Sequence, residues 1–262
     1  MARYPFSLPR PAIAGAALLV AMTAALPART TAQSDRPVPF KVGETLTFDV
    51  SWTSFVSAGT ATLSVKERRP AGSGRSAYYL VAEVKPSSVI SKLYQLYYKA
   101  ESMMDTRTLL PSVATVYSDE GGRKRHKTTT FKGNGAVQYE IRTSTTATSA
   151  LKMPATTQDP LGALYILRAL PLKAGLSVPI PVTDSGKAYT MRVRVTGRET
   201  VKSGLGSLPA WKVVMTTTEV GGSTASDSLT VWISDDARKL PLKLAAGLTV
   251  GNFQLTLARV TG

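Results

Sequence analysis

The chain has 262 residues, 32 Lys+Arg against 17 Asp+Glu, a formal net charge of +15, one histidine and no cysteine. Without cysteine there is no disulfide, thiol nucleophile, zinc–thiolate site or iron–sulfur cluster, so the core must hold the fold unaided. No D-x-D-x-D-G loop occurs either, and neither metal nor cofactor is expected.

The first 32 residues read as a signal peptide. Arg3 and Arg10 supply a positive n-region, residues 12–26 (AIAGAALLVAMTAAL) an apolar run, and small residues lead to cleavage after Ala32 or, alternatively, Ala28. The run is short for a membrane span, although an uncleaved anchor is the competing reading. No cysteine follows it and no paired arginine precedes it, so neither a lipid anchor nor folded export is expected. No later stretch reaches the ~18 apolar residues a span needs. The expectation is an exported protein, periplasmic in a Gram-negative cell and extracellular otherwise. Cleavage removes Arg3, Arg10 and Arg29 and no acid, taking the charge from +15 to +12. For an exported chain, nucleic acid is not an expected partner; lipid headgroups, cell-wall polymers and other acidic surfaces are. The plainer alternative is that the charge serves solubility alone.

Residues 33–42 form a short lead-in, and 43–262 read as a single domain. GETLTFDVSW (43–52) alternates without a fault, with Leu46, Phe48, Val50 and Trp52 on one face, the mark of a half-buried strand. TATLSV (60–65) completes a hairpin. AYYLVAEV (77–84), a tyrosine-rich segment at 93–104, SVATVYSDE (112–120), RKRHKTTTFK (123–132) and AVQYEIR (136–142) continue the alternation. A polar Ser/Thr run at 143–149 follows and reads as a connection.

Residues 159–170 are different. Thr157 or Asp159 can cap a helix, Pro160 sits where proline is tolerated, and Pro171 ends it. Ala163, Ile166, Leu167 and Leu170 make one stripe, and Leu161, Leu164, Tyr165 and Arg168 the neighbouring one, so the helix is buried. Arg168 comes late, where a cation suits the helix dipole and reaches free carbonyls. The helix reads as a plug on the concave side of a sheet, or as a lid if a cavity lies beneath Leu164 and Leu167. Strands at 176–182, 187–201, 208–220, 226–234, 240–246 and 252–260 finish the chain. Such regular hairpin spacing predicts an all-β fold, a curled antiparallel sheet or half-barrel of about 12 strands with one short buried helix.

Reactive clusters are missing. His126 stands alone in RKRHK, no G-x-S-x-G elbow occurs, SVK (64–66) has the wrong spacing for serine–lysine chemistry, and the chain is not expected to be an enzyme. Asp235 and Asp236 in WISDDARKLP read as turn residues capping their own backbone. Two groups are left that line a surface or hollow. Trp52, Tyr94, Leu96 and Tyr98, with Leu164 and Leu167 of the helix, are the candidates for lining an apolar ligand; their alternative is plain core. Arg123, Arg125 and Lys127 project to one side of their strand and are the candidates for contacting an anionic group, with a solvated face as the alternative.

Three motifs recur together: GETLTFDVSWTSFVSAGTATLSV (43–65), DPLGALYILRALPLKAG (159–175) and VWISDDARKLPLKL (231–244). On them the chain resembles, from about residue 41 to 260, the exported bacterial family filed as domain of unknown function 3108. The resemblance implies a secreted, β-rich, single-domain protein and carries no site residues. The functional expectation is a non-enzymatic periplasmic monomer that binds a lipid-like ligand in its curled sheet. The alternatives are an envelope assembly factor acting through its outer surface and an envelope-polymer hydrolase, which needs two carboxylates in a cleft.

Overall fold

The structure, a computed structural model, describes residues 34–262 except 54–55, 73, 94, 223–224 and 249–250. The expected signal peptide therefore lies outside the described residues. Eight strands follow one another as hairpins: β1 (Thr45–Trp52), β2 (Val56–Pro70), β3 (Ser76–Pro86), β4 (Leu96–Asp105), β5 (Pro111–Glu120), β6 (Arg123–Phe131), β7 (Ala136–Arg142) and β8 (Thr146–Lys152). A one-turn helix, α1 (Ser88–Leu93), interrupts them between β3 and β4. After helix α2 (Pro160–Ala169) come β9 (Ser177–Asp184), β10 (Lys187–Ser203), β11 (Gly206–Glu219), β12 (Ala225–Ser234), β13 (Pro241–Leu248) and β14 (Gly251–Thr261). The last strand pairs with the first, giving one 14-stranded sheet in the order β8-β7-β6-β5-β4-β3-β2-β1-β14-β13-β12-β11-β10-β9. Every pairing is antiparallel. The sheet curls without closing, and β8 and β9 are its edges.

Curling follows from the bulges. Register shifts at Thr47/Phe48, Val65/Glu67 and Val195/Gly197 each add local twist to long strands. The C-terminal strip rolls far enough that the amide of Gly204, in the β10–β11 turn, donates to the carbonyl of Leu257 on β14 at 2.7 Å. The N-terminal strip has no such closure among the described residues.

Helix α2 lies in the concavity and divides its apolar faces between two clusters. Ala163 and Leu167 join the large one, with Leu46, Phe48, Val193, Val213, Val231 and Leu257. Leu161 and Tyr165 join the smaller, with Phe40, Val65, Tyr78, Leu80 and Met104. The lead-in thus reaches the core: Phe40 meets the Tyr165 ring edge-on at 4.9 Å. Arg168, only 2 % exposed, is held in a fork by Glu44 (Nη1–Oε1 2.5 Å, Nη2–Oε2 3.0 Å). It also donates to the carbonyls of Lys239 (3.0 Å) and Arg238 (3.1 Å). It thus ties β1's start to the β12–β13 turn rather than serving its own helix end.

The all-β curled sheet holds, with two departures from expectation. The strand number is 14, because residues 146–152 form β8; its side chains are exposed almost throughout, so no apolar alternation marks it. Helix α1 is too short to show a period.

Candidate functional site

The two halves of the concavity are filled differently. No residue of β6, β7 or β8 belongs to either apolar cluster. Over β4–β7 the concave face is instead a trough, and alternation along each strand decides what lines it. Facing it are Tyr98 and Ala100 of β4, Ala114 and Val116 of β5, Lys127 and Thr129 of β6, and Tyr139 of β7. The N-terminal end of α2 and the end of β9 form the opposite wall, enclosing a cavity of about 170 Å³. One residue-pair further along β6 and β7, Phe131 and Val137 line a second, wider hollow of about 330 Å³ with Arg75, Lys132 and Thr157 at its rim.

The β9–β10 turn leans across this trough. Ser185 (φ 50°) and Gly186 (φ 75°) both take left-handed backbone, the two-residue turn that suits hairpin twist. The Lys127 ammonium donates to the Ser185 hydroxyl at 2.8 Å. Gly186 packs so closely that a Cβ there would fall 2.8 Å from the Tyr139 ring and 2.9 Å from the Ser149 hydroxyl. Burial, then the charge of Asp184, pushes up the Tyr139 phenol, against a hydrogen bond with Ser185. Burial likewise pushes up the Tyr98 phenol, with the charges of Asp184, Glu120 and Asp159 adding to it.

Asp159 is the buried acid of the wall. Its Oδ1 accepts from the Gly162 amide at 3.0 Å and its Oδ2 from the Ser102 hydroxyl at 2.7 Å. Burial nonetheless outweighs these contacts and holds its carboxyl above the usual range. A Cβ at position 162 would fall 2.8 Å from Asp159 Oδ2 and 2.9 Å from Gln158 Oε1, so glycine there leaves room for both buried side chains. Asp184 lines the cavity as well. Both Asp159 oxygens are committed to structural donors; among the polar groups that face the cavity beside it are the Tyr98 and Tyr139 phenols, the Asp184 carboxylate and the Lys127 ammonium, the last resting on the Ser185 hydroxyl. No group of three or more His, Asp or Glu able to hold a metal occurs among the described residues.

Of the residues picked from sequence, Tyr98 and Lys127 come together here. The others do not. Trp52 stacks on Phe253 at 6.2 Å, and Leu96 is half-buried opposite Glu120. Leu164 packs on the large cluster and Leu167 lies fully inside it, so the helix is a plug there, not a lid. Arg125 binds Glu120 at 3.0 Å, and exposed Arg123 joins it on an open groove with Thr143 and Ser144. Tyr94 lies outside the described residues. Asp236 accepts from Ser234 (2.7 Å) and the Arg238 and Lys239 amides, as a turn acid does. Asp235 turns away to accept from the Trp211 indole at 2.7 Å and to pair with Arg198. Missed altogether were Tyr139 and Asp184. Tyr139 alternates with Val137 and Ile141 and reads as core, while Asp184 reads as a turn residue.

The fold and trough define a class: barrel-like, incompletely closed β proteins with an inserted helix. Within it, the chain belongs to the protein family of unknown function DUF3108, whose model matches residues 47–258. No curated protein matches the chain. Among solved structures it is similar to a β-barrel-like protein of domain of unknown function DUF1849 from Brucella abortus. The TM-score is 0.54 at 10 % identity, covering 83 % of this chain and 96 % of that one, a likeness of fold alone. A protein described as a lipoprotein from Parabacteroides distasonis aligns at TM-score 0.35 and 9 % identity over 86 % and 97 % of the two chains. A protein described as exported, with a YmcC-like fold, from Bacteroides fragilis aligns at 0.32 and 8 % over 87 % and 100 %. Neither of these two carries weight. No helix among the described residues is long and apolar enough to cross a membrane.

Proposed function

We propose that this is an exported, non-catalytic binding protein that holds an amphiphilic, lipid-like ligand in the trough of β4–β7. The observation that carries the reading is the unfilled concave face itself. Two hollows of about 170 and 330 Å³ lie along one face, where Ala100, Ala114, Val116, Phe131 and Val137 supply apolar surface and Tyr98, Tyr139 and Lys127 polar groups. Phenols suit such a wall because the ring stays apolar while the hydroxyl meets a polar head. An ammonium supplies a point charge for a carboxylate or phosphate. Export rests on the n-region, apolar run and small residues of the first 32 positions. The non-catalytic reading rests on Asp159, whose Oδ1 caps helix α2 and whose Oδ2 is held by the Ser102 hydroxyl.

Displacement of a fluorescent fatty acid from the mature chain, with native mass spectrometry after gentle purification, tests this. Saturable uptake that is lost in Ala114→Phe, which fills the trough, is the expected result. No uptake, no co-purified ligand, or uptake unchanged in Ala114→Phe contradicts it.

A further inference from the structure

The two edges of the sheet are protected unequally. Strand β9 carries Pro179 and Pro181, which have no N–H to offer, and residue 158 already bridges to it through Gln158 N to Pro181 O (2.9 Å) and Thr183 N to Gln158 O (3.0 Å). Strand β8 has no such device. It contains no proline, runs in unbroken register with β7 and carries a single charge, Lys152, at its end. Among the described residues its backbone hydrogen-bonds to β7 alone. Natural edges are normally blunted by prolines, bulges or charges; a seven-residue edge with no proline, no bulge and one terminal charge is a template for another strand.

Which groups are free follows from the alternation of an antiparallel ladder. Met153 N donates to Gly135 O at 2.8 Å. Ser149 and Leu151, opposite Tyr139 and Val137, therefore point their N–H and C=O at β7. Thr146, Thr148, Ala150 and Lys152 point theirs outward. The surroundings of this edge are basic: residues 123–152 contain seven Lys+Arg and one acid, Glu140, itself paired with Arg142 at 2.5 Å. A second copy of the chain would bring an equally basic leaf to the same edge.

We propose that β8 is a docking edge for an extended, acidic polypeptide segment of another protein, which adds as a fifteenth strand. Outward backbone groups supply the pairing and the basic leaf selects the charge. The inference is independent of the trough, since β8 can be paired whether or not a ligand lies beneath.

The test uses the mature full-length chain and a labelled peptide of alternating Glu with Thr or Val. Saturable binding that weakens with salt is expected, together with new exchange protection of the Thr146, Thr148 and Ala150 amides by NMR. Ala150→Pro removes an outward donor and leaves the β7 ladder intact, so it should weaken binding at least tenfold with an unchanged circular dichroism spectrum. Lys132→Glu with Lys152→Glu should weaken it as well and covers the case in which the proline variant fails to fold. Absence of binding, binding without protection of those three amides, or a folded Ala150→Pro that binds like wild type overturns the proposal. So does binding of the same leaf to phosphatidylglycerol vesicles in place of the peptide, which would make it a lipid-facing surface.

Discussion

The strip β9–β14 and the strip β4–β8 obey the same hairpin rule and end in opposite states. In the first, the rolled β10–β11 hairpin meets β14, and Val193, Val213, Val231, Ile233 and Leu242 are fully buried. In the second, the corresponding face carries Lys127, Thr129 and Tyr139, and the strip stays open at β8. Side-chain chemistry on one face of each strand makes the difference. Branched aliphatic residues let the sheet close upon itself, whereas cations, hydroxyls and phenols hold it apart and keep space beneath. One half is scaffold and the other is hollow.

Four variants test that division, the largest effect first. Arg168→Ala leaves Glu44 as a buried, unpaired carboxylate at the junction of the halves. A loss of about 3–5 kcal/mol in urea unfolding is expected, from the cost of breaking a buried pair. Glu44→Leu with Arg168→Met should recover much of it, because neither charge is then stranded. In the filled half, Leu257→Ala should cost about 2–5 kcal/mol through the cavity it opens. In the open half, Ala114→Phe should change stability by less than about 1 kcal/mol, since it enters existing space, while ligand uptake disappears. Equal costs in the two halves would mean that both are packed alike.

Asp159 gives a smaller and pH-dependent effect. Its folded-state carboxyl is raised by burial, so the native state binds the proton more tightly than the unfolded chain. Its contribution to stability is therefore fullest below the ordinary carboxylate pKa of about 4 and declines as pH rises through the raised value. Asp105 and Asp236 are held below their ordinary range by hydrogen bonds and neighbouring cations that outweigh burial, and they act in the reverse sense as pH falls. Subtracting the stability profile of Asp159→Asn from that of wild type isolates the Asp159 term, and the difference should slope downward with pH. Arg125→Ala, which breaks a half-exposed pair with Glu120, should move stability by no more than about 0.5 kcal/mol.

The filled half was the legible one. Leu46, Phe48 and Val50 alternate with polar residues, and the proline-bounded apolar run at 160–169 announces a buried helix. Both signals come from burial, which writes a period into sequence. The hollow has no such period. Lys127 and Tyr98 could be singled out as an unusual cation and a half-wet aromatic, but Tyr139 and Asp184 reach the same cavity only through the curl of the sheet. Arg168 was legible as a structural residue, while its partner Glu44, 124 positions away, was not. Strand β8 escaped because an exposed edge needs no apolar face.

The most direct test of the central claim is photo-crosslinking of the mature chain with a diazirine-bearing fatty acid, with adducts mapped by mass spectrometry. Adducts at Tyr98, Ala114 and Tyr139 are predicted, lost on competition with unlabelled fatty acid. Adducts confined to Leu164 and Leu167, adducts only on the convex face of the sheet, or no adducts at all would contradict the assignment of the hollow to the open half.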